Sequence, residues 1–287
     1  MAGWVLGVIG GSGLYEIEEL EDPRRRRIES PFGAASDEIL EGRLGAVRLI
    51  FLPRHGRGHP LSPTAVDYRA NIDVLKRAGV TDILSLSAVG SLREALGPGD
   101  FVIVDQYIDR TFAREKSFFG PGLAAHVSMA EPVCPRLSRL AAAAAREAGV
   151  RVVEGGCYLA MEGPQFSTKA ESALYRSWGC DVIGMTNMPE AKLAREAEIP
   201  YASVAMVTDY DCWHEEIAHV SVGEILAVLN TNSAAARRLI ASLARALPPE
   251  RAPSPIDRAL DGAIITAPSA RDPALVEKLS AVAGRVI

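Results

Sequence analysis

No run in this sequence is long and apolar enough to span a membrane. The first apolar stretch, Trp4-Val5-Leu6-Gly7-Val8-Ile9, is short, lacks a basic leader and runs into glycines. That suits a buried strand better than a signal peptide, so a cytoplasmic location is expected, with no membrane partner. Charge of one sign is missing too. With 31 basic against 36 acidic residues and a net charge of −5, there is no concentrated cationic footprint, and no nucleic-acid partner is expected. The one basic run, Arg24-Arg25-Arg26-Arg27, lies between Pro23 and Pro31-Phe32-Gly33 and reads as a solvated loop or strand edge. Cysteine is scarce. Cys134, Cys157, Cys180 and Cys212 stand too far apart for a Cys-x-x-Cys redox or zinc signature; buried or free thiols are favoured, with a disulfide left open. His214-Glu215-Glu216-Ile217-Ala218-His219 resembles a metalloprotease helix, but its histidines are five apart and do not share a helical face. It reads as a solvated helix or loop, and no metal is expected. No internal repeat is visible.

What is present is an ordinary globular composition: 287 residues, 48% of them hydrophobic, enough to bury a sizeable core. Short apolar runs alternate with helical patterns from end to end, the signature of an α/β domain with a central mixed β-sheet flanked by helices. Residues 39–45 and 47–53 read as a hairpin, and 63–78 as a helix entered through Ser62 with Pro63 in its first turn. Strands are expected at 81–87, 101–105, 151–160, 182–183 and 202–207, and helices at 135–148, 168–178, 189–197 and 221–247. One domain covers 1–247. After it, Pro248-Pro249 and Pro253-Ser254-Pro255 break the helix, so 248–287 reads as a linker and a weakly patterned tail, helical near 273–282.

The chemistry-bearing residues gather where strands end, the usual place for ligands in α/β folds. Gly10-Gly11-Ser12-Gly13 can turn backbone amides and the Ser12 hydroxyl toward an anion, although alone it is equally a glycine turn. It matches neither the dinucleotide fingerprint nor a nucleophile elbow. Arg54-His55-Gly56 ends an apolar strand. Arginine can grip phosphate with two parallel hydrogen bonds and histidine can donate a third; an exposed strand-end pair is the competing reading. Ser87-Ala88-Val89-Gly90-Ser91 offers a hydroxyl and open amides, or simply close packing. Together these three strand ends can build one phosphate site. Asp209-Tyr210-Asp211 places two carboxylates near a strand end, where like charges in partial burial can leave one protonated as a general acid, or where they can cap a turn. Met185-Thr186 and Phe166-Ser167, taken alone, fit core and cap positions.

Taken in order, Gly10-Gly11-Ser12-Gly13-Leu14, Arg54-His55-Gly56, Ser87-Ala88-Val89-Gly90-Ser91-Leu92-Arg93-Glu94, Met129-Ala130-Glu131-Pro132, Glu162-Gly163-Pro164-Gln165-Phe166-Ser167, Met185-Thr186 and Asp209-Tyr210-Asp211-Cys212-Trp213 resemble the signature of the 5'-methylthioadenosine phosphorylases, in the trimer-forming branch of the purine nucleoside phosphorylase superfamily. The resemblance covers roughly 3–245. It implies a nucleoside phosphorylase-like fold and phosphorolysis of 5'-methylthioadenosine to adenine and 5-methylthioribose 1-phosphate, in purine and methionine salvage. Phosphate would be a co-substrate and no cofactor is implied. It further implies phosphate binding by Ser12, Arg54, His55, Ser87, the Ala88 amide and Thr186. Many relatives carry threonine at the positions of Ser12 and Ser87, a difference that keeps the hydroxyl. Met185 would lie against the ribose and Phe166 near the purine, with Ser167 and Tyr210 beside them. Asp209, as the catalytic acid, and Asp211 would read the purine edge. His126, Val222 and Leu226 would come from a neighbouring subunit, so a homo-oligomer, trimer or hexamer, is expected. The nearest alternative is a 6-oxopurine nucleoside phosphorylase, but those relatives have asparagine at the position of Asp209 and glutamate at that of Ser167. A non-catalytic nucleotide-binding protein is the alternative from another class.

Overall fold

The computed structural model describes residues 3–11, 13–14, 17–214 and 222–287, with 222–226 described by their backbone alone. Its strands are β1 (Val5–Gly10), β2 (Glu21–Arg26), β3 (Ile39–Leu44), β4 (Val47–Pro53), β5 (Asp82–Ser91), β6 (Phe101–Val104), β7 (Gln106–Arg110), β8 (Val152–Glu154), β9 (Cys157–Met161), β10 (Val182–Gly184) and β11 (Tyr201–Asp209). The helices are α1 (Tyr68–Arg77), α2 (Pro135–Glu147), α3 (Lys169–Ser177), α4 (Asn187–Glu196), α5 (Val222–Ala246), α6 (Pro273–Lys278) and α7 (Ser280–Ala283). Among the described residues no helix is long and apolar enough to cross a membrane. The four cysteines are free thiols.

The strands form one mixed sheet, ordered β2-β3-β4-β1-β5-β10-β9-β7, with β11 also on β5 and then β6 and β8. Strand β5 is where the sheet branches. On one side it runs parallel to β11 along most of its length, Ile83 opposite Tyr201 through Gly90 opposite Asp209. On its other side it pairs with β1 only from Asp82 to Ser85, and with β10 only at Gly90 and Ser91. Residues 86–89 therefore have no ladder on that side. A gap opens in the middle of the sheet, edged by unpaired backbone and by the ends of β1, β4, β10 and β11.

Two apolar layers hold the sheet. One face packs Ile72, Val74 and Leu75 of α1 and Ala191 and Leu193 of α4 against strand residues such as Ile9 and Ile83. The other packs Leu137 and Ala141 of α2 and Leu239, Ile240 and Leu243 of α5 against Leu6, Leu84 and Val204. Burying a side chain of this size stabilises the fold by about 1.5–3 kcal/mol, so each layer matters more than any single polar contact on the surface. Arg24, Arg25 and Arg26 of the basic run fall in β2, whose residues are all exposed at the sheet edge, and Arg27 follows it; charge there discourages strand addition.

Three expectations need correction. The helix expected over 63–78 is two pieces: a 3-10 turn at Pro63–Ala65, then α1, because Val66 is extended and Asp67 starts a new helix by accepting from the Ala70 N–H. The strand expected over 151–160 breaks into β8 and β9 at Gly155-Gly156, where Gly155 has φ +82°, and β7 was not anticipated at all. The expected linker and tail pack tightly. Ile256 joins one apolar layer, while Leu260, Leu279, Val282 and Ala283 join the layer of α1 and α4. Glu198 accepts from the Leu260 N–H and the Arg285 Nε, each at 2.9 Å. Only α6 and α7 carry the helical character expected near 273–282, and the fixing contacts are to residues far away in sequence, which no local pattern reveals.

Candidate functional site

A cavity of about 600 Å³ occupies the gap in the sheet. It is lined at one end by Gly11, Arg54, His55, Ser87, Ala88 and Thr186, at the other by Phe166, Asp209 and Asp211, with Val89, Met161, Ile183, Met185 and Met206 also on its walls. Leu229, Asn230 and Ser233 of α5 line it too, and Asn232, beside them, ties α5 to the sheet by donating to the Val207 carbonyl at 2.9 Å.

At the first end, Arg54 is engaged from behind. Its side chain and that of Glu190 are each 2% exposed. Nε donates to Glu190 Oε2 at 2.8 Å, Nη2 to Glu190 Oε1 at 3.0 Å and Ser85 Oγ at 2.6 Å, and Nη1 to the Leu86 carbonyl at 3.1 Å. Although burial opposes the charge, Glu190 raises the Arg54 pKa further and keeps it cationic. The two-pronged grip expected for phosphate is thus directed at Glu190. Four of the five guanidinium N–H groups are engaged, and one on Nη1 is left at the cavity wall.

Leu86 turns its carbonyl to the open side of β5, while the Ile83 N–H donates to the Pro200 carbonyl on the β11 side. Alternation along the strand then puts the Ala88 N–H on the same side as the Leu86 carbonyl, facing the gap. Ser87 Oγ is buried with no hydrogen-bond partner among the described residues. A buried orphan hydroxyl in a cavity wall is costly unless a ligand completes it. His55 Nδ1 lies 2.9 Å from the Leu61 carbonyl oxygen. Burial, helped by the neighbouring Arg54 cation, lowers the His55 pKa to about 4, so the ring is neutral near pH 7.

Met185 and Thr186 follow β10, and Arg114 orients them. Its Nη1 donates to the Met185 carbonyl at 2.5 Å and the Met188 carbonyl at 2.8 Å, while its Nε donates to Glu162 Oε1 at 3.0 Å. A trans peptide is planar, so fixing the Met185 carbonyl also fixes the direction of the Thr186 N–H. Although burial opposes it, hydrogen bonds from Thr64, the Phe112 and Ala113 amides and Arg114 hold the Glu162 pKa down at about 2.

At the far end, Asp209 Oδ2 accepts from the Thr208 hydroxyl at 2.7 Å and Oδ1 from the Asp211 N–H at 2.8 Å. Asp211 has φ +53° and accepts weakly from Ser167 Oγ, at 3.3 and 3.4 Å. Burial, helped by the Asp209 charge, pushes the Asp211 carboxyl above its ordinary range. Between the two ends the wall is apolar, rich in adaptable methionine.

The structure thus gathers Arg54, His55, Ser87, Ala88, Phe166, Met185, Thr186, Asp209 and Asp211 around one cavity. Ser167 stands behind Asp211, and Tyr210 packs on Trp213 and His214. His126 is off the cavity wall; its backbone N–H donates to Ala263 beside the C-terminal segment. Ser12 lies outside the described residues, as do the side chains of Val222 and Leu226. Sequence reasoning missed Glu190 and the bonds from Ser85 and Tyr201 to its Oε1, at 2.6 and 2.8 Å, as well as the Arg114 brace. A cation ending an apolar strand was the available signal that a buried anion stood somewhere behind it.

The model of the phosphorylase superfamily matches residues 5–245. The S-methyl-5'-thioadenosine phosphorylase of Cereibacter sphaeroides is 65% identical over 99% of this chain and 98% of its own. A methylthioadenosine phosphorylase from an Antarctic soil metagenomic library superposes with a TM-score of 0.93 at 45% identity, covering 98% of this chain and 99% of that one. The methylthioadenosine phosphorylase of Schistosoma mansoni in complex with adenine superposes with a TM-score of 0.80 at 38% identity, covering 84% and 91%. This chain belongs to the phosphorylase superfamily.

Proposed function

We propose that this protein cleaves the N-glycosidic bond of 5'-methylthioadenosine with inorganic phosphate, giving adenine and 5-methylthioribose 1-phosphate. The observation that carries this reading is a single cavity with an orphan Ser87 hydroxyl and the Arg54 cation at one end and an aspartate pair at the other. Relatives of up to 65% identity bearing the methylthioadenosine phosphorylase name support the choice of nucleoside.

Breaking the C1'–N9 bond leaves positive charge on the ribose and negative charge on the departing purine. A phosphate oxygen beside C1' meets the first and forms the new C–O bond; the C–N electron pair leaves with the base, where a proton from the aspartate pair at N7 meets the second. Asp209 is the proposed donor, its other oxygen accepting from the 6-amino group. Phosphate is a co-substrate, and the bond-making and bond-breaking balance without an organic cofactor. Ser12, Arg54, His55, Ser87, the Ala88 amide and Thr186 would contact phosphate, Met185 the ribose, and Phe166, Ser167, Tyr210 and Asp211 the neighbourhood of the purine. The products suit purine and methionine salvage in the cytoplasm.

Phe112 and Phe166 are 82% and 78% exposed in the isolated chain, one beside the Glu162 brace and the other at the cavity. Bare aromatics at the mouth of a site support a homo-oligomer, trimer or hexamer, in which a second copy supplies His126, Val222 and Leu226 to close the methylthio pocket. Release of the purine base, adenine from methylthioadenosine and adenosine and hypoxanthine from methylthioinosine and inosine, each with and without phosphate, tests the reading. Phosphate-dependent release with methylthioadenosine preferred is expected. Equal release without phosphate would make the protein a hydrolase and overturn it.

A further inference from the structure

Most groups that line the anion end of the cavity can donate hydrogen bonds: the remaining Arg54 N–H, the Ala88 N–H and the rotatable Ser87 and Thr186 hydroxyls. His55 differs. Its Nδ1 faces the Leu61 carbonyl oxygen at 2.9 Å, and a carbonyl has no proton to give, so the hydrogen between them belongs to Nδ1. The surrounding loop holds the ring in this orientation. The Leu61 N–H donates back to the His55 carbonyl at 3.2 Å, closing 55–61 on itself. The His59 ring stacks on His55 with centroids 4.2 Å apart and planes 12° from parallel. Flipping the ring would break the Nδ1 bond to the Leu61 carbonyl.

Burial and the adjacent Arg54 cation keep the ring neutral, so it carries one proton, already placed on Nδ1. Nε2 is then a bare lone pair, and no hydrogen bond reaches it from the described residues. This reverses the role expected from the sequence, in which His55 donates to an oxyanion.

Taking the phosphate site of the preceding section as given, we propose that His55 accepts a hydrogen bond from the protonated oxygen of hydrogenphosphate and thereby makes this site select phosphate over sulfate. The two anions share shape and charge near neutral pH, but hydrogenphosphate keeps a proton on one oxygen and sulfate keeps none. A site of donors with one obligate acceptor matches the first. With sulfate, the oxygen opposite Nε2 meets lone pair with lone pair, and a mismatched buried polar contact corresponds to roughly a ten- to hundredfold loss of affinity. Arsenate, protonated like phosphate, escapes this penalty.

The test is calorimetric titration of the intact enzyme with phosphate, arsenate and sulfate, together with inhibition of phosphate-dependent adenine release by sulfate. Phosphate and arsenate should bind within a few-fold of each other, roughly, and sulfate on the order of ten- to a hundredfold more weakly. His55→Gln can turn its amide NH2 toward the anion, so its sulfate-to-phosphate affinity ratio should move toward one. Nitrogen-15 spectra of the wild-type imidazoles, with His55 identified by its loss in that variant, should show an Nδ1–H tautomer both free and with phosphate bound. Sulfate binding as tightly as phosphate, an unchanged ratio in folded His55→Gln, or a proton on Nε2 in the phosphate complex overturns the inference while leaving the phosphate site standing. Binding of neither anion overturns the site itself. Should His55→Gln fail to fold, the wild-type affinity ratio decides alone.

Discussion

The two ends of the cavity are built differently. At the anion end, Arg54 is clamped by Glu190, Ser85 and the Leu86 carbonyl, while Asn187 and Tyr201 extend the buried network. At the base end, Asp209 is held by one hydroxyl and one backbone N–H, and Asp211 by long contacts from Ser167. On the proposed function, a group that binds the same anion throughout can be rigid, whereas an acid that passes a proton to a leaving purine needs a carboxyl whose bonds are few. Rigid charge costs stability when disturbed; a sparsely bonded acid costs rate.

Breaking the first end should therefore show in folding. Glu190→Ala leaves a buried guanidinium without its anion, and a loss of about 3–5 kcal/mol is expected in denaturant unfolding. A loss under about 1 kcal/mol would mean that water reaches Arg54 and that the anion end is not the rigid half.

Breaking the second end should show in rate. Asp209→Asn keeps shape and a donor but cannot transfer a proton as an acid does, so adenine release should slow by about a hundredfold or more, with preference moving toward 6-oxo substrates and little change in unfolding. The methylthioadenosine to methylthioinosine ratio of kcat/KM reads this directly; an unchanged ratio would remove Asp209 from the base site.

Acid sharpens the comparison through Glu162, which braces Arg114 and so Met185. Its folded pKa, about 2, lies below the ordinary value of 4.5. The unfolded chain therefore binds this proton more readily, so the associated stability is present above about pH 4.5 and is lost as pH falls toward 2. Glu162→Gln should flatten that part of the stability-versus-pH curve; an identical slope would assign the acid sensitivity elsewhere.

The smallest effect marks the baseline. Arg25 stands on the exposed edge strand β2, outside both ends of the site, and Arg25→Ala should change stability by no more than about 0.5 kcal/mol and leave kcat/KM unaltered. A larger change would give the basic run a role that its position at the solvated edge does not explain.

The strand ends were legible from residues 54–55, 87–88 and 209–211 because apolar runs stopping at polar side chains are a local pattern. Glu190 was not, since it sits in an ordinary helical stretch 136 residues from Arg54, and only their pairing makes it special. The direction of the His55 proton was equally hidden, because it depends on a carbonyl that the loop folds back to meet the ring.

By itself the sequence determined the alternation of strands and helices, the buried β1, the exposed basic edge and the order of motifs, since each follows from periodicity or from neighbours a few residues apart. Tertiary structure alone decided that β5 branches the sheet and opens a gap beside 86–89, that the segment from 248 packs into the core, and which partner each buried charge finds. The physical reason is range. Local propensity chooses an element within one or two turns of chain, but strand pairing and the neutralisation of buried charge join residues far apart in sequence, and only the folded packing brings them together.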